Sequence, residues 1–275
     1  MKFTKMHGAG NDYIYIDGFA QTVRNPADLA RRMSDRHFGV GADGLILVLP
    51  SDAADCRMRM FNADGSEAEM CGNGIRCLAK YAYERRLARR NPLTVETGAG
   101  TRTLDLRIEG DRVVEVEVAM GPPHLAPHDI PVRLDGDRVV ERAVEIAGTR
   151  LTVTCVSMGN PHCVLFVPDV ETAPVATLGP RIETAPLFPE RTNVEFVQVV
   201  SPRAVRQRTW ERGSGETFAC GTGASAVLVA AALSGRTERA ITCHLRGGNL
   251  RLRWPEGESV FLAGGAVEVF TGEWP

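Results

Sequence analysis

The segment AEMCGNGIRC, Ala68–Cys77, has a partner in TFACGTGASA, Thr217–Ala226: in each, a cysteine precedes Gly-x-Gly and an apolar run. The two cysteines, Cys71 and Cys220, lie 149 residues apart (220 − 71). The same gapless offset carries Gly10-Asn11 onto Gly159-Asn160, and Ala27, Leu29 and Arg32 onto Ala176, Leu178 and Arg181. It also carries Arg57 and Arg59 onto Arg206 and Arg208, Phe61 onto Trp210, and Glu67 onto Glu216. A common strand rhythm could align one segment by accident, but it would not hold one offset from residue 10 to residue 74. The chain is therefore read as two copies of one unit, and any fold proposed for it must be built twice.

Within the first copy, 12–17, 45–49 and 56–61 alternate or are β-branched and predict strands, while 26–35, opened by Pro26, predicts a short helix. Ile75, Leu78, Ala79, Ala82 and Leu87 follow Gly74 at helical spacing. The second copy predicts strands at 151–156, 162–167, 193–200 and 204–210, then a helix from Gly221, apolar almost all round and ended by Gly235. Further strands are expected at 93–97, 101–108 and 112–118, and at 240–245, 249–254 and 258–271. The fold class is α/β of the α+β type: two pseudo-symmetric domains, each a mixed, mostly antiparallel sheet wrapped around a central helix. Residues 1–120 with a C-terminal strand at about 266–275 form one domain, and 121–265 the other. The Pro-rich stretch 121–150 joins the copies. A site is expected in the cleft between domains, where equivalent residues would face each other.

Composition removes several function classes. A net charge of −2 over 275 residues gives no reason to expect nucleic acid or an anionic membrane as partner. No apolar run approaches the roughly 20 residues of a membrane span. Seven cysteines in a chain that opens without a signal-peptide pattern point to a reducing compartment, and the expected location is cytoplasmic.

A thiol at the first turn of a helix sits at the positive end of the helix dipole, beside N–H groups without helical partners, and both features favour the thiolate. Glycines at 72, 74, 221 and 223 let a ligand approach that backbone, whose N–H groups can hold a carboxylate. Two such thiols facing each other can invert a stereocentre: one removes a proton from carbon and the other returns one to the opposite face. Cys56, Cys155, Cys163 and Cys243 lie in strand patterns and Cys77 lies inside a helix, so these five are read as core. No Cys-x-x-Cys and no tight Cys/His cluster occurs, so neither a dithiol redox motif nor a metal site is expected. Nor is a cofactor expected, since the three lysines, Lys2, Lys5 and Lys80, are poor Schiff-base candidates.

The copies differ in polar groups. The offset pairs Tyr13 with His162, Gly44 with Asn193, Asn62 with Glu211 and Ala63 with Arg212. Glu211 beside Arg212 could serve a zwitterion or form a structural ion pair. His162 could be a turn residue or could tune a neighbouring thiol.

The blocks KMHGAGNDY (5–13), FNADGSEAEMCGNGIRC (61–77), SMGNPH (157–162), RTNVEF (191–196) and ERGSGETFACGTGASA (211–226) resemble diaminopimelate epimerase over nearly the whole chain. The resemblance implies a cofactor-independent isomerase that interconverts LL- and meso-2,6-diaminoheptanedioate on the route to lysine and peptidoglycan. It also implies a fold shared with proline racemase, a small amino-acid substrate, and a homodimer. Carried over residue by residue, Cys71 and Cys220 match the catalytic pair. Asn11, Asn62, Gly72, Asn73, Asn160, Asn193, Glu211, Arg212, Gly221 and Thr222 match substrate contacts, and His162 with Glu211 matches positions that influence the thiols. Gly44 stands where some members have a glutamine that contacts substrate. The rival readings are a proline or hydroxyproline racemase, which has no need of the charged pair Glu211/Arg212, and a redox module whose two cysteines form a regulatory disulfide.

Overall fold

The structure, a computed structural model, describes residues 1–146 and 148–275. The chain divides into two compact units, Met1–Ala119 with Ala263–Pro275, and Met120–Leu262.

The first unit runs β1 (Lys2–Gly8), β2 (Asn11–Asp17), α1 (Pro26–Ser34), β3 (Gly44–Leu49), β4 (Cys56–Asn62), β5 (Glu67–Ala68), α2 (Gly72–Glu84), β6 (Leu93–Thr97), β7 (Gly100–Glu109) and β8 (Arg112–Gly121). The second runs β9 (Arg142–Ile146), β10 (Thr149–Ser157), β11 (Pro161–Phe166), α3 (Val175–Glu183), β12 (Asn193–Ser201), β13 (Ala204–Glu211), β14 (Gly215–Thr217), α4 (Gly221–Leu233), β15 (Ala240–Leu245), β16 (Gly248–Arg253) and β17 (Val260–Gly264). The last strand, β18 (Val267–Glu273), returns to the first unit and pairs antiparallel with β1.

The duplication is visible in the hydrogen-bond register. In the first unit β2 and β3 run parallel with Tyr13 opposite Gly44, and β3 and β4 antiparallel with Gly44 opposite Asn62 and Ile46 opposite Met60. In the second, β11 and β12 run parallel with His162 opposite Asn193, and β12 and β13 antiparallel with Glu195 opposite Thr209. The pairs Tyr13/Gly44 and Ile46/Met60 thus recur as His162/Asn193 and Glu195/Thr209 at the offset of 149. The match slips by one residue at both ends of the unit: Met6 faces Tyr13 in β2 but Val156 faces His162 in β11, and past the long helices Arg57 faces Glu96 in β6 but Arg206 faces His244 in β15. Each sheet is mixed and mostly antiparallel, with parallel joints at β2/β3 and β4/β6, and at β11/β12 and β13/β15.

Strand β3, GLILVL, is buried along almost its whole length because both its faces are covered. Leu45 and Leu47 pack with Ile14, Ile16 and Phe61 against Leu29, Ala30 and Met33 of α1. Ile46 points the other way, toward Gly74 of α2. Each such aliphatic side chain contributes about 1.5–3 kcal/mol on burial. α2 packs on β1, β2 and β3, and α4 on β10, β11, β12, β15 and β16, so each long helix is the centre of its own unit. Gly235, at φ 66, stands just beyond the end of α4 in the left-handed conformation that stops a helix. Its counterpart beyond α2 is Arg86, at φ 61.

Two expectations are corrected. The run 258–271 is not one strand: it divides into β17 and β18 around Gly265-Ala266, because a glycine-rich segment has no side chains to pack. The stretch 121–150 is more than a connection. It contributes β9, and Ile130, Val132 and Val139 are buried with Val153, Cys155 and Phe196 in the core of the second unit.

Candidate active site

In the first unit Cys71 is the N-cap of α2, in extended conformation, and its Sγ accepts the Gly74 N–H at 3.5 Å. A thiol at this position replaces the usual Ser or Asp cap. The first-turn N–H groups of α2 have no helical carbonyl to bond, and those of Asn73 and Gly74 are turned toward the Cys71 sulfur. Cys71 also donates to Asn11 Oδ1 at 3.4 Å, and Asn11 is held in turn through Nδ2 by Asp43 at 2.7 Å. Asn11 follows the turn at Ala9 and Gly10, whose φ values of 53 and 83 reverse the chain between β1 and β2. Asn73 is buried and its side chain accepts from Arg76 at 2.8 Å. Asn62 ends β4 opposite Gly44 and donates to Ser66 Oγ at 3.0 Å.

The second unit repeats the cap. Cys220 precedes α4, its Sγ accepts the Gly223 N–H at 3.3 Å, and Thr222 Oγ1 lies 3.4 Å from the same sulfur. His162 is wholly buried in β11 with both ring nitrogens engaged: Nδ1 is 2.8 Å from Glu195 Oε1 and Nε2 is 3.0 Å from Asn160 Oδ1. Asn193 donates to the Pro161 carbonyl at 2.7 Å and accepts the Arg212 N–H at 3.0 Å. Glu211 accepts from Thr217 Oγ1 at 2.5 Å, and the Arg212 guanidinium donates to the Glu190 carbonyl at 3.0 Å. The structure thus gathers Cys71, Gly72, Asn73 and Asn11 into one cluster. It links Asn160 to His162 and Asn193 to Arg212, with Cys220, Gly221 and Thr222 at the mouth of α4.

Burial raises both thiols. At Cys71 this is opposed by the Gly74 N–H, the Tyr13 hydroxyl, the Asn73 N–H and the Arg76 charge. At Cys220 burial is reinforced by the carboxylates of Glu211 and Glu195, and the thiol is pushed well above its ordinary value. The other cysteines are buried, as read from the sequence. Burial pushes Cys56 up to about 12 and Cys77 up to about 11, values at which a thiol is chemically inert near neutrality.

A family model described as diaminopimelate epimerase matches residues 3–126 and 154–269 of this chain. A protein named diaminopimelate epimerase from Acetivibrio thermocellus is 52% identical over 274 residues, covering 99% of this chain and 98% of that one. Another of that name, from Moorella thermoacetica, is 55% identical and covers 100% and 99%. The chain belongs to the diaminopimelate epimerase family. Among solved structures, a probable proline racemase from Agrobacterium radiobacter K84 is similar with a TM-score of 0.70 at 15% identity, over 100% of this chain and 92% of that one. At that identity the likeness is one of fold, and it matches the proline racemase-like architecture expected from the sequence.

Several polar residues beside the two cysteine caps escaped the sequence reading. Glu195 is fully buried and accepts from Gln207 Nε2 at 2.8 Å and Thr209 Oγ1 at 2.6 Å as well as meeting His162. Arg76 is fully buried in the first turns of α2. Within NVEFVQVV, Glu195 looks like one polar residue on the open face of a strand. The offset carried the missing signal: it places Glu195, Gln207 and Thr209 where the first copy has Ile46, Met58 and Met60.

Proposed function

We propose that this protein interconverts LL- and meso-2,6-diaminoheptanedioate without a cofactor, by a two-base mechanism in which Cys71 and Cys220 exchange one proton each with the substrate α-carbon. The observation that carries the reading is the repeated cap. Two cysteines of a diaminopimelate epimerase family chain each begin a 13-residue helix and each accept the N–H three residues on.

One cysteine, as thiolate, takes the α-proton and becomes a thiol. The electron pair left on carbon delocalises into the adjacent carboxylate, whose growing charge the first-turn N–H groups at Gly72-Asn73 and Gly221-Thr222 stabilise. The other thiol protonates the opposite face and becomes the thiolate, so the reverse reaction starts from the product state. Asn11, Asn62, Asn160, Asn193, Glu211 and Arg212 recognise the substrate, the last two reading the ammonium and carboxylate of its distant centre. His162 and Glu211 bias the thiols. The two units are the N- and C-terminal epimerase domains, and the working form is a cytoplasmic homodimer.

The test is incubation of the reduced protein with LL-diaminopimelate in D2O, following stereoisomers and α-deuterium. Conversion to the meso form with solvent deuterium in the product, lost in Cys71→Ala and Cys220→Ala, is the expected result. No conversion and no exchange with both thiols reduced overturns the assignment.

A further inference from the structure

The two half-sites agree in backbone and differ in buried charge. Arg76 has no exposed surface; its Nη1 donates to the Gly72 carbonyl at 2.9 Å and its Nη2 to Asn73 Oδ1 at 2.8 Å. Its counterpart at the offset is Ser225, whose Oγ makes the equivalent bond to the Gly221 carbonyl at 2.9 Å without a charge. Among the described residues no carboxylate pairs with Arg76. A guanidinium stays protonated in proteins, and a buried cation lacking a counter-ion is costly. Cys77, Cys71 and Tyr15 are the ionisable groups near this cation, and of these the Cys71 sulfur stands at the first turn of α2 with donors aimed at it. Tyr13 from β2 and the Asn73 and Gly74 N–H groups present donors to the same atom, while Tyr15 and Cys77 are the remaining titratable groups that feel it.

The second half-site has the opposite sign. A Cβ placed on Gly223 would lie 2.5 Å from Glu195 Oε1, so this buried carboxylate abuts the first turn of α4 directly. The matching position under Gly74 holds the Ile46 methyl at 2.7 Å. His162, Gln207 and Thr209 bond to Glu195, one on Oε1 and two on Oε2. Glu211 on β13 is a second carboxylate acting on Cys220, and Cys243 on β15 is a neutral buried thiol on the far side of Gln207.

We propose that Arg76 and Glu195 are positioning residues of opposite sign that set the resting protonation of the two half-sites, so that the free protein carries its thiolate on Cys71 and its thiol on Cys220. This deepens the epimerase reading and rests on it for its catalytic meaning: the free enzyme is poised for the stereoisomer whose α-proton faces Cys71. The directions at the two thiols agree with the geometry: donors oppose burial at both, but at Cys71 a cation joins them whereas at Cys220 the carboxylates of Glu211 and Glu195 act against them.

The experiment alkylates the reduced protein with iodoacetamide across a pH series, and mass spectrometry follows the Cys71 and Cys220 peptides separately. Access scales the rate at each sulfur but leaves its pH midpoint unchanged, so the midpoints report charge. The expected result is a Cys71 midpoint lower than that of Cys220 by at least about one pH unit, the scale of a nearby buried charge. Arg76→Gln should raise the Cys71 midpoint while Arg76→Lys holds it, and Glu195→Gln should lower that of Cys220 alone. Equal or reversed midpoints in the unaltered protein overturn the inference, whether or not any variant folds. So does a folded Glu195→Gln protein with an unmoved Cys220 midpoint. Epimerisation in D2O without this ordering defeats the inference and spares the proposed function; the ordering without epimerisation does the reverse.

Discussion

Alanine at Gly223 and at Gly74 makes the same chemical change at equivalent helix positions, yet the two should differ sharply in cost. At Gly223 the new Cβ would meet Glu195 Oε1 at 2.5 Å, Cδ at 2.8 Å and Oε2 at 3.0 Å, so the entire carboxylate blocks it. Glu195 cannot swing aside without weakening its bonds to His162, Gln207 and Thr209. Overpacking costs about 1–3 kcal/mol, and a hydrogen bond to a buried charge is worth about 1.5–3 kcal/mol. Replacing glycine inside a helix recovers about 1 kcal/mol. The net expectation for Gly223→Ala is a loss of about 2–4 kcal/mol, or roughly 5–15 °C in Tm for a chain of this size. At Gly74 the obstacle is Ile46 Cδ1 at 2.7 Å, the free end of a rotatable side chain, with Met58 Cε at 3.3 Å. There the helix gain nearly offsets the crowding, for a net change within about 1 kcal/mol. Urea and thermal unfolding of the two variants side by side checks this. Equal losses, or a larger one for Gly74→Ala, would refute the idea that a fixed buried carboxylate underlies the second half-site.

Alkaline stability follows from the buried thiols. Cys56 and Cys77 are held near 12 and 11 by burial and Cys243 is raised in the same way, whereas an unfolded thiol ionises near 8.5. Above that pH the unfolded chain releases protons the folded one keeps, so stability falls as pH rises, by about 2 kcal/mol per thiol at pH 10. A Tm that stays flat between pH 8 and 10 contradicts this. Arg86→Gly should raise stability by up to about 1 kcal/mol in urea unfolding, since Arg86 holds φ 61 at the helix stop where its counterpart is Gly235; a loss of stability shows that its side chain matters more than its backbone. Arg212→Ala should raise KM for LL-diaminopimelate on the order of 10–100-fold, the value of a charge-assisted contact, while the alkylation midpoints of both cysteines stay put; unchanged steady-state kinetics would remove Arg212 from the substrate site.

The duplicated register, the two long helices and the cysteine caps were legible in the residues. A gapless repeat forces equivalent strands to pair equivalently, and Cys-Gly-x-Gly before an apolar run has one natural place, the start of a helix. The proposed substrate contacts come only from the family blocks, because an asparagine such as Asn62 or Asn193 carries no local pattern that distinguishes a ligand contact from a turn bond. Two boundaries failed for related reasons. Composition hid β9 and the buried Ile130, Val132 and Val139 inside a proline-rich stretch, and it hid the break between β17 and β18 inside an apolar one.

What the sequence by itself determined is therefore the repeated unit, most of its strands and the cysteines placed at its helix starts, since these depend on local periodicity and on residues close along the chain. The burial of Arg76 and Glu195 is another matter. Whether a charged side chain sits in water or beneath a helix depends on what covers it, and those covering residues come from β2, β11, β13 and α4, distant in the chain. Only the tertiary structure decided that the two matching cysteines stand over opposite buried charges, and that difference is what can make one a base while the other stays an acid.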